Sequence, residues 1–396
     1  MKEGWIYKKL GEVCCKSCNI KWDVVSESAT YKYIDLTSVD RSDLCIHNPL
    51  TISKADAPSR AKQIVELGDV IFATTRPTLR RVSMIGDGFD GAICSTGFCV
   101  LRPNKDDITS KWIFYGLQNN GFYNYIEPLQ TGASYPAVTD SIVKAYILPV
   151  PSLSEQKRIV ERLDAAFAHI DELKANAEKQ LTEARALFQK CLTKAMEPKE
   201  GWEEKKLKDV ADFVRGPFGG SLTKSMFKPT GYAVYEQQHA IHGHLNIRYF
   251  IDSKKFKEME RFSVEAGDLI MSCSGVTLGR VNLLPSDTPV GIINQALLKM
   301  RVKDETDARF FKCWLESAHF QDLLKDYSGG AAIPNVPAVK ILKDIFISIP
   351  SLSEQQRIVA RFDSLSENVR KYEEVQRKVI SECDALKQAL LRKVFE

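Results

Sequence analysis

No stretch of the chain stays apolar over the roughly eighteen residues that a membrane helix requires, so no membrane span is expected. The opening residues, Met1 to Val13, have neither an apolar centre nor a small-residue cleavage site, and a secretory leader is not expected there. Ten cysteines are scattered without a disulfide-like framework, which predicts a reduced chain in a cytosolic setting. No sign of charge dominates: 55 Lys and Arg face 51 Asp and Glu, a net of +4. So small an excess gives little field over the surface, and attraction to a polyanion has to come from local placement.

Motifs for chemistry are also scarce. There is no G-x-x-x-x-G-K-[ST] phosphate loop; Gly216-Pro217-Phe218-Gly219-Gly220 lacks its spacing and the Lys-Ser/Thr that follows. The Asn/Asp-Pro-Pro-aromatic tetrapeptide of adenine methyltransferases is absent, and Asn48-Pro49-Leu50 does not supply it. Cys14-Cys15-Lys16-Ser17-Cys18 holds one C-x-x-C with no second pair, and His239, His242 and His244 have no cysteine pair near them, so no metal site is expected. Such absences by themselves weigh only weakly against catalytic residues in this chain.

What is present is repetition. Residues 151–164 read PSLSEQKRIVERLD and residues 350–363 read PSLSEQQRIVARFD, eleven of fourteen positions identical at an offset of 199. Chance would give about one match in such a window. Glu3-Gly4-Trp5 recurs as Glu200-Gly201-Trp202, VELGDVIF (65–72) as VEAGDLIM (264–271), and Thr78-Leu79 with Arg81-Val82 as Thr277-Leu278 with Arg280-Val281. Gly132-Ala133, Pro136 and Val138 recur as Gly330-Ala331, Pro334 and Val336. The period is far too long for a solenoid and means a duplicated domain, able to pack with approximate two-fold symmetry.

Each copy divides in two. Residues 1–150 and 198–349 carry short β-like runs (Tyr33–Leu36, Val70–Phe72, Phe98–Leu101) between Gly, Pro, Asn and Asp clusters, with helical stretches near 110–126 and 306–326. The class predicted for them is α+β. Residues 151–197 and 350–396 each predict one long helix, opened by Ser152-Leu153-Ser154-Glu155 or Ser351-Leu352-Ser353-Glu354 as a capping box, with the glutamate reaching back. Apolar residues alternate at four and three: Ile159, Leu163, Ala166, Ile170, Leu173, Ala177, Leu181 in one, Ile358, Phe362, Leu365, Val369, Tyr372 and, less regularly, Leu386 in the other. Two such stripes predict an antiparallel coiled coil between the copies, about 60 Å long from forty residues. The other possibility is that each helix packs only on its own domain.

At this point the chain resembles a known family, the specificity subunits of type I restriction-modification enzymes. The resemblance rests on the tandem globular–helix order, on LSEQ-x-RIV at Leu153–Val160 and Leu352–Val359, on Gly-Asp-aliphatic followed by Thr-Leu and Arg-Val, and on Gly-Gly-Ala-Ala-Ile-Pro-Asn-Val at 329–336. The first copy departs at the last of these, with Pro136-Ala137-Val138 and no Asn after the Pro. The resemblance implies two target recognition domains, each reading half of a split and asymmetric double-stranded DNA site. It implies that the helices set the gap and dock two methyltransferase subunits, which restriction (translocase and nuclease) subunits then join. S-adenosylmethionine, ATP and Mg2+ would belong to those partners, none to this chain, in a prokaryotic cytoplasm. The alternative is a non-enzymatic assembly scaffold that binds the methyltransferase without recognising DNA.

Candidate DNA contacts follow from residue chemistry. Thr74–Arg81 carries Arg76, Thr78, Arg80 and Arg81 in a polar loop, and arginine pairs bidentately with guanine O6 and N7. Its counterpart Ser272–Arg280 offers Thr277 and Arg280 among small residues. Gln237, Gln238 and His239 suit adenine edges and phosphates; Lys32 and Thr37 in the first copy and Lys224 in the second are further candidates. A solvated loop is the plain alternative for each.

Overall fold

Four consecutive buried apolar residues, Val70–Ala73, lie at the centre of the first copy's main sheet. The equally buried Leu269–Ser272 holds that place in the second. The computed structural model describes residues 4–218, 220–327 and 334–396. In chain order the first copy comprises β1 (Ile6–Lys9), β2 (Cys14–Cys15), β3 (Cys18–Asn19), β4 (Thr30–Ile34), β5 (Leu50–Ser53), β6 (Ala61–Ile64), β7 (Val70–Ala73), β8 (Val82–Met84), β9 (Ile93–Ser95), β10 (Phe98–Pro103), α1 (Ser110–Gly116), α2 (Asn120–Ile126), α3 (Asp140–Ala145), β11 (Ile147–Val150) and α4 (Leu153–Ala195). The second comprises β12 (Glu203–Lys206), α5 (Leu207–Val210), β13 (Ala211–Arg215), β14 (Tyr232–Tyr235), α6 (Gln237–His242), β15 (Phe250–Ile251), α7 (Ser253–Glu258), β16 (Ser263–Val264), β17 (Leu269–Ser272), β18 (Val281–Leu283), β19 (Gly291–Ile293), β20 (Leu297–Val302), α8 (Ala308–Glu316), α9 (Ala318–Tyr327), α10 (Val339–Asp344), β21 (Phe346–Ile349) and α11 (Leu352–Phe395).

The sheets repeat like the sequence. The antiparallel order β2-β10-β7-β8 recurs as β13-β20-β17-β18, and the ribbon β1-β11 as β12-β21. A second sheet in each copy, β3-β6-β9-β4-β5 and β15-β14-β19-β16, carries one parallel pair. The Gly-Asp turns explain part of this conservation of form. Gly68 and Gly267 take φ of +89° and +86°, which glycine adopts without strain. The buried Asp69 accepts the Glu66 N–H at 2.9 Å and pairs with Arg102 of β10 at 2.9 Å. Asp268 does the same with Glu265 N–H and Arg301 of β20.

The chain forms two compact units, Met1–Glu178 with Arg377–Glu396, and Lys179–Gln376. Each therefore contains a globular part, its own helix start and the far end of the other long helix. In the first unit Val160, Leu163, Phe167 and Ile170 of α4 share a core with Trp112, Phe122, Cys383, Leu391 and Phe395, and the Trp112 and Phe395 rings lie 4.9 Å apart. In the second, Leu192 and Met196 join Phe310, Trp314, Ile358 and Phe362.

The helix starts show what the repeated LSEQ does. Gln156 is fully buried. It accepts the Thr109 N–H at 2.9 Å and donates to the Asp107 and Pro151 carbonyls, each at 2.9 Å. Gln355 repeats the pattern with the Asp307 N–H (2.8 Å) and the Glu305 and Pro350 carbonyls (3.3 and 3.0 Å). The capping box forms by half. Ser152 and Ser351 accept the Glu155 and Glu354 N–H groups, but the two carboxylates turn to Arg158 and Arg357 one turn along rather than back to the cap.

Within each unit the two helices run antiparallel. Lys174 pairs with Asp384 at 2.7 Å and Asp171 with Lys387 in the first. Arg185 pairs with Glu373 at 2.7 Å and Tyr372 donates to Gln180 in the second. The expected seam needs correction in its middle. Leu163, Ile170, Ile358 and Phe362 are buried, and Ile159, Leu181, Leu365 and Val369 half-buried. Leu173 is 57% exposed and Leu386 49%. The packed positions there include Phe167, Lys174 and Lys387, each one position on from Ala166, Leu173 and Leu386, with Cys383 beside them, while Ala177 is buried as expected. The cause is that α4 faces its globular part as well as the other helix, and the Lys387 ammonium lies 5.3 Å from the Phe167 ring centre.

Candidate nucleic-acid interface

In each copy one loop links an inner strand of the main sheet to the edge strand beside it, β7 to β8 and β17 to β18. Its base is fixed by hydrogen bonds to the later repeated segment. Arg76 N–H donates to Pro136 O (2.7 Å) and Val138 N–H to Thr74 O (2.9 Å); Gly275 N–H donates to Pro334 O (3.0 Å) and Val336 N–H to Cys273 O (2.9 Å). The described part of the 329–336 segment, from Pro334 on, thus docks beneath the loop, while Gly330 and Ala331 of the repeat lie outside the described residues. Asn335, absent from the first copy's motif, accepts from Arg215 at 3.1 Å.

Each loop makes one 3-10 turn, Pro77–Leu79 and Gly275–Thr277. Arg76 and Arg80 flank the first with φ of +50° and +57°. That left-handed backbone costs a residue with a Cβ about 1–2 kcal/mol. Both guanidinium groups rest on tyrosines: Arg76 lies 4.7 Å from the Tyr135 ring centre, Arg80 4.2 Å from that of Tyr123. Arg80 also donates to Asn120 Oδ1 at 2.8 Å. Tyr123, Tyr135 and Asn120 were not singled out by sequence reasoning, since nothing in their spacing links them to the loop. Thr78 is exposed beside the two arginines. Arg81 differs from them, because its Nε is buried without a hydrogen-bond partner.

The second copy's candidates are arranged otherwise. Gln237 Nε2 lies within donating distance of Ser272 Oγ (2.7 Å), Ser274 O (2.8 Å) and Thr277 Oγ1 (3.0 Å), so it braces the loop from behind. Val276 stands fully exposed at the tip. Gln238 donates to Glu236, which also binds Arg248. His239 is buried, against the expectation that it meets phosphate. Its Nδ1 accepts the Glu236 N–H at 2.7 Å, which leaves the proton on Nε2 for the Asn246 carbonyl at 3.1 Å. Burial lowers its pKa, so the ring is held neutral. Arg280 turns to a cavity of about 400 Å³ lined by Arg185, Phe188, Val369 and Arg370 of the helices. Lys224 is exposed on a separate turn, Lys224–Met226.

Lys32 lies on β4 of the other sheet of the first copy and Thr37 in the turn that follows it. Lys32 donates to the Gly88 carbonyl at 2.9 Å and Thr37 to Asp35 at 2.8 Å. Asp35 ends β4 by accepting from Thr37 and Ser38, which holds its carboxyl below the usual range. Neither contact connects them to the arginine loop. Burial pushes the Cys14 thiol up to about 12, unsuited to ligation or attack. Among the described residues no group of three or more His, Cys, Asp and Glu is placed to hold a metal ion, and no helix is long and apolar enough to cross a membrane.

Comparison with known proteins gives one family. The profile of the type I restriction modification DNA specificity domain matches residues 2–183 and again 199–379. The EcoBI specificity subunit of Escherichia coli is 23% identical over 77% of this chain and 69% of its own length. The EcoKI specificity subunit of the same species is 25% identical over 76% and 68%. A solved chain described under "complex assembly and conformational transition of the type I R-M system" superposes with a TM-score of 0.86 at 28% identity, covering 100% of this chain and 98% of that one. The HsdS subunit of Thermoanaerobacter tengcongensis gives 0.61 at 27%, covering 100% and 97%. With both halves matched, the chain belongs to the type I restriction-modification specificity subunits, the DNA-recognition and non-catalytic components of those systems.

Proposed function

We propose that this chain reads a bipartite, asymmetric target in double-stranded DNA, one half with each copy's loop, and so directs adenine-N6 methylation and restriction by partner subunits. The observation that carries this is the pair of loops: one docking pattern and positive φ at the same two positions, with different side chains at the tip. A reader duplicated in form but not in contacting groups recognises two different half-sites. Two methyltransferase subunits would dock on the long helices, where Leu173, Leu187, Val375 and Leu386 offer exposed apolar surface. Restriction subunits would complete the assembly. S-adenosylmethionine, ATP and Mg2+ belong on those partners. All ten cysteines are free, which suits the reducing cytoplasm of a prokaryote.

The test is base-resolved adenine methylation in cells carrying the methyltransferase partner with and without this chain. The expected result is a split motif that arises only when the chain is present. An unchanged methylome, with the partner still bound, would instead identify a scaffold.

A further inference from the structure

The duplication supplies an internal control on the arginine loop. Position by position, Arg76 corresponds to Gly275 and Arg80 to Gly279. The backbones agree: φ is +50° and +57° at the arginines, +76° and +80° at the glycines. One turn hydrogen bond agrees too, Leu79 N–H to Arg76 O and Leu278 N–H to Gly275 O both at 3.0 Å, while the next differs, Arg80 N–H reaching Pro77 O and Gly279 N–H reaching Ser272 O. At Gly275 a Cβ would meet no atom within 4 Å, so glycine is there for its conformation and not for lack of room, whereas at Gly279 a Cβ would also press on Gln321 and Leu324 within 3.0 Å. The second copy has at both places the residue that this backbone favours; the first has arginine at both, against that preference.

Among the described residues no ion pair explains the choice, and Arg76 adds only a 3.5 Å contact with the Ser134 carbonyl. Neither Arg76 nor Arg80 has a carboxylate within 4 Å among the described residues, whereas Arg102, Arg185, Arg248, Arg301 and Arg370 all do. Both are exposed. Their contacts with Tyr135, Tyr123 and Asn120 are of a kind that orients a planar guanidinium and leaves its charge unmatched. An oriented, unneutralised guanidinium on an exposed loop fits an anionic partner whose acceptors come as a pair. In the major groove that pair is O6 and N7 of guanine.

We propose that Arg76 and Arg80 are the base-reading residues of the first copy and that its half-site contains guanine. This rests on the DNA-reading function proposed above. The second copy, glycine at both positions, reads its half-site by other groups.

The test compares methylation motifs and thermal unfolding for the intact complex with its methyltransferase, using the wild-type chain, the double variant Arg76→Gly/Arg80→Gly, and Arg76→Lys. The glycines are the second copy's own solution, so Tm is expected to hold or rise. Methylation at the guanine-containing motif is expected to fall about tenfold or more, or that position to become degenerate, with the other half-site unchanged. Arg76→Lys keeps the charge without the fork and is expected to relax the same position. A wild-type motif lacking guanine in one half would be compatible only if the other half contains it and responds to these variants. A motif without guanine, an unchanged motif and level in the double variant, or a marked fall in its Tm would each overturn the proposal. A wild-type chain that directs no methylation would overturn the DNA-reading function itself.

Discussion

Single side chains join each globular part to its helix. Gln156 and Gln355, both buried, each bond one backbone N–H and two carbonyls. Leucine fills a similar volume and satisfies none. Gln156→Leu is expected to destabilise the first unit by about 2–4 kcal/mol, and Gln355→Leu the second by a similar amount. Denaturant unfolding checks this, and a loss under about 1 kcal/mol would show that the amide does not hold the joint. The sequence marked this residue by repetition alone, and its role depends on backbone groups some fifty positions away. The arginine loop was more accessible. Aligning the copies sets glycine against arginine twice, which signals a positive φ. His239 misled because its residue type suits phosphate, while its burial is decided by the Glu236 and Asn246 backbone.

Among the elements, the long helices were the clearest in advance, through their four-three spacing and uninterrupted length. Their packed face was less so. A stripe wide enough to meet both a globular part and another helix admits two neighbouring seams, and charged residues with long stems settle between them. Lys174 and Lys387 occupy packed positions while Leu173 and Leu386 face outward. Phe167→Ala is accordingly expected to cost the first unit about 3–5 kcal/mol. Leu173→Ser and Leu386→Ser should stay within about 0.5 kcal/mol. Thermal unfolding of the three variants separates the two seams, and a large loss at Leu173 would restore the one read from spacing. The short strands were harder to place. Several have only two or three residues, and their order is fixed by pairings across the whole copy, such as β4 beside β9.

For the chain as a whole, the duplicated sequence foretold two similar bodies but not where their cores close. The first unit takes Cys383, Leu391 and Phe395 from the last twenty residues, and the second takes Leu192 from the end of α4 and Met196 just after it. A chain ended after Gln376 is therefore expected to lose amide-exchange protection in α1 and α2 while α8 and α9 keep theirs. Equal protection in both would contradict the shared cores. The repeated joint has a genetic consequence. Two tracts coding for nearly the same fourteen residues lie where each reader meets its helix. A crossover between such tracts would exchange one globular part for another and leave Gln156 or Gln355 in place, the incoming part supplying the matching backbone partners, Asp107 and Thr109 or Glu305 and Asp307. On the function proposed above, a new target specificity would then arise by recombination in one step.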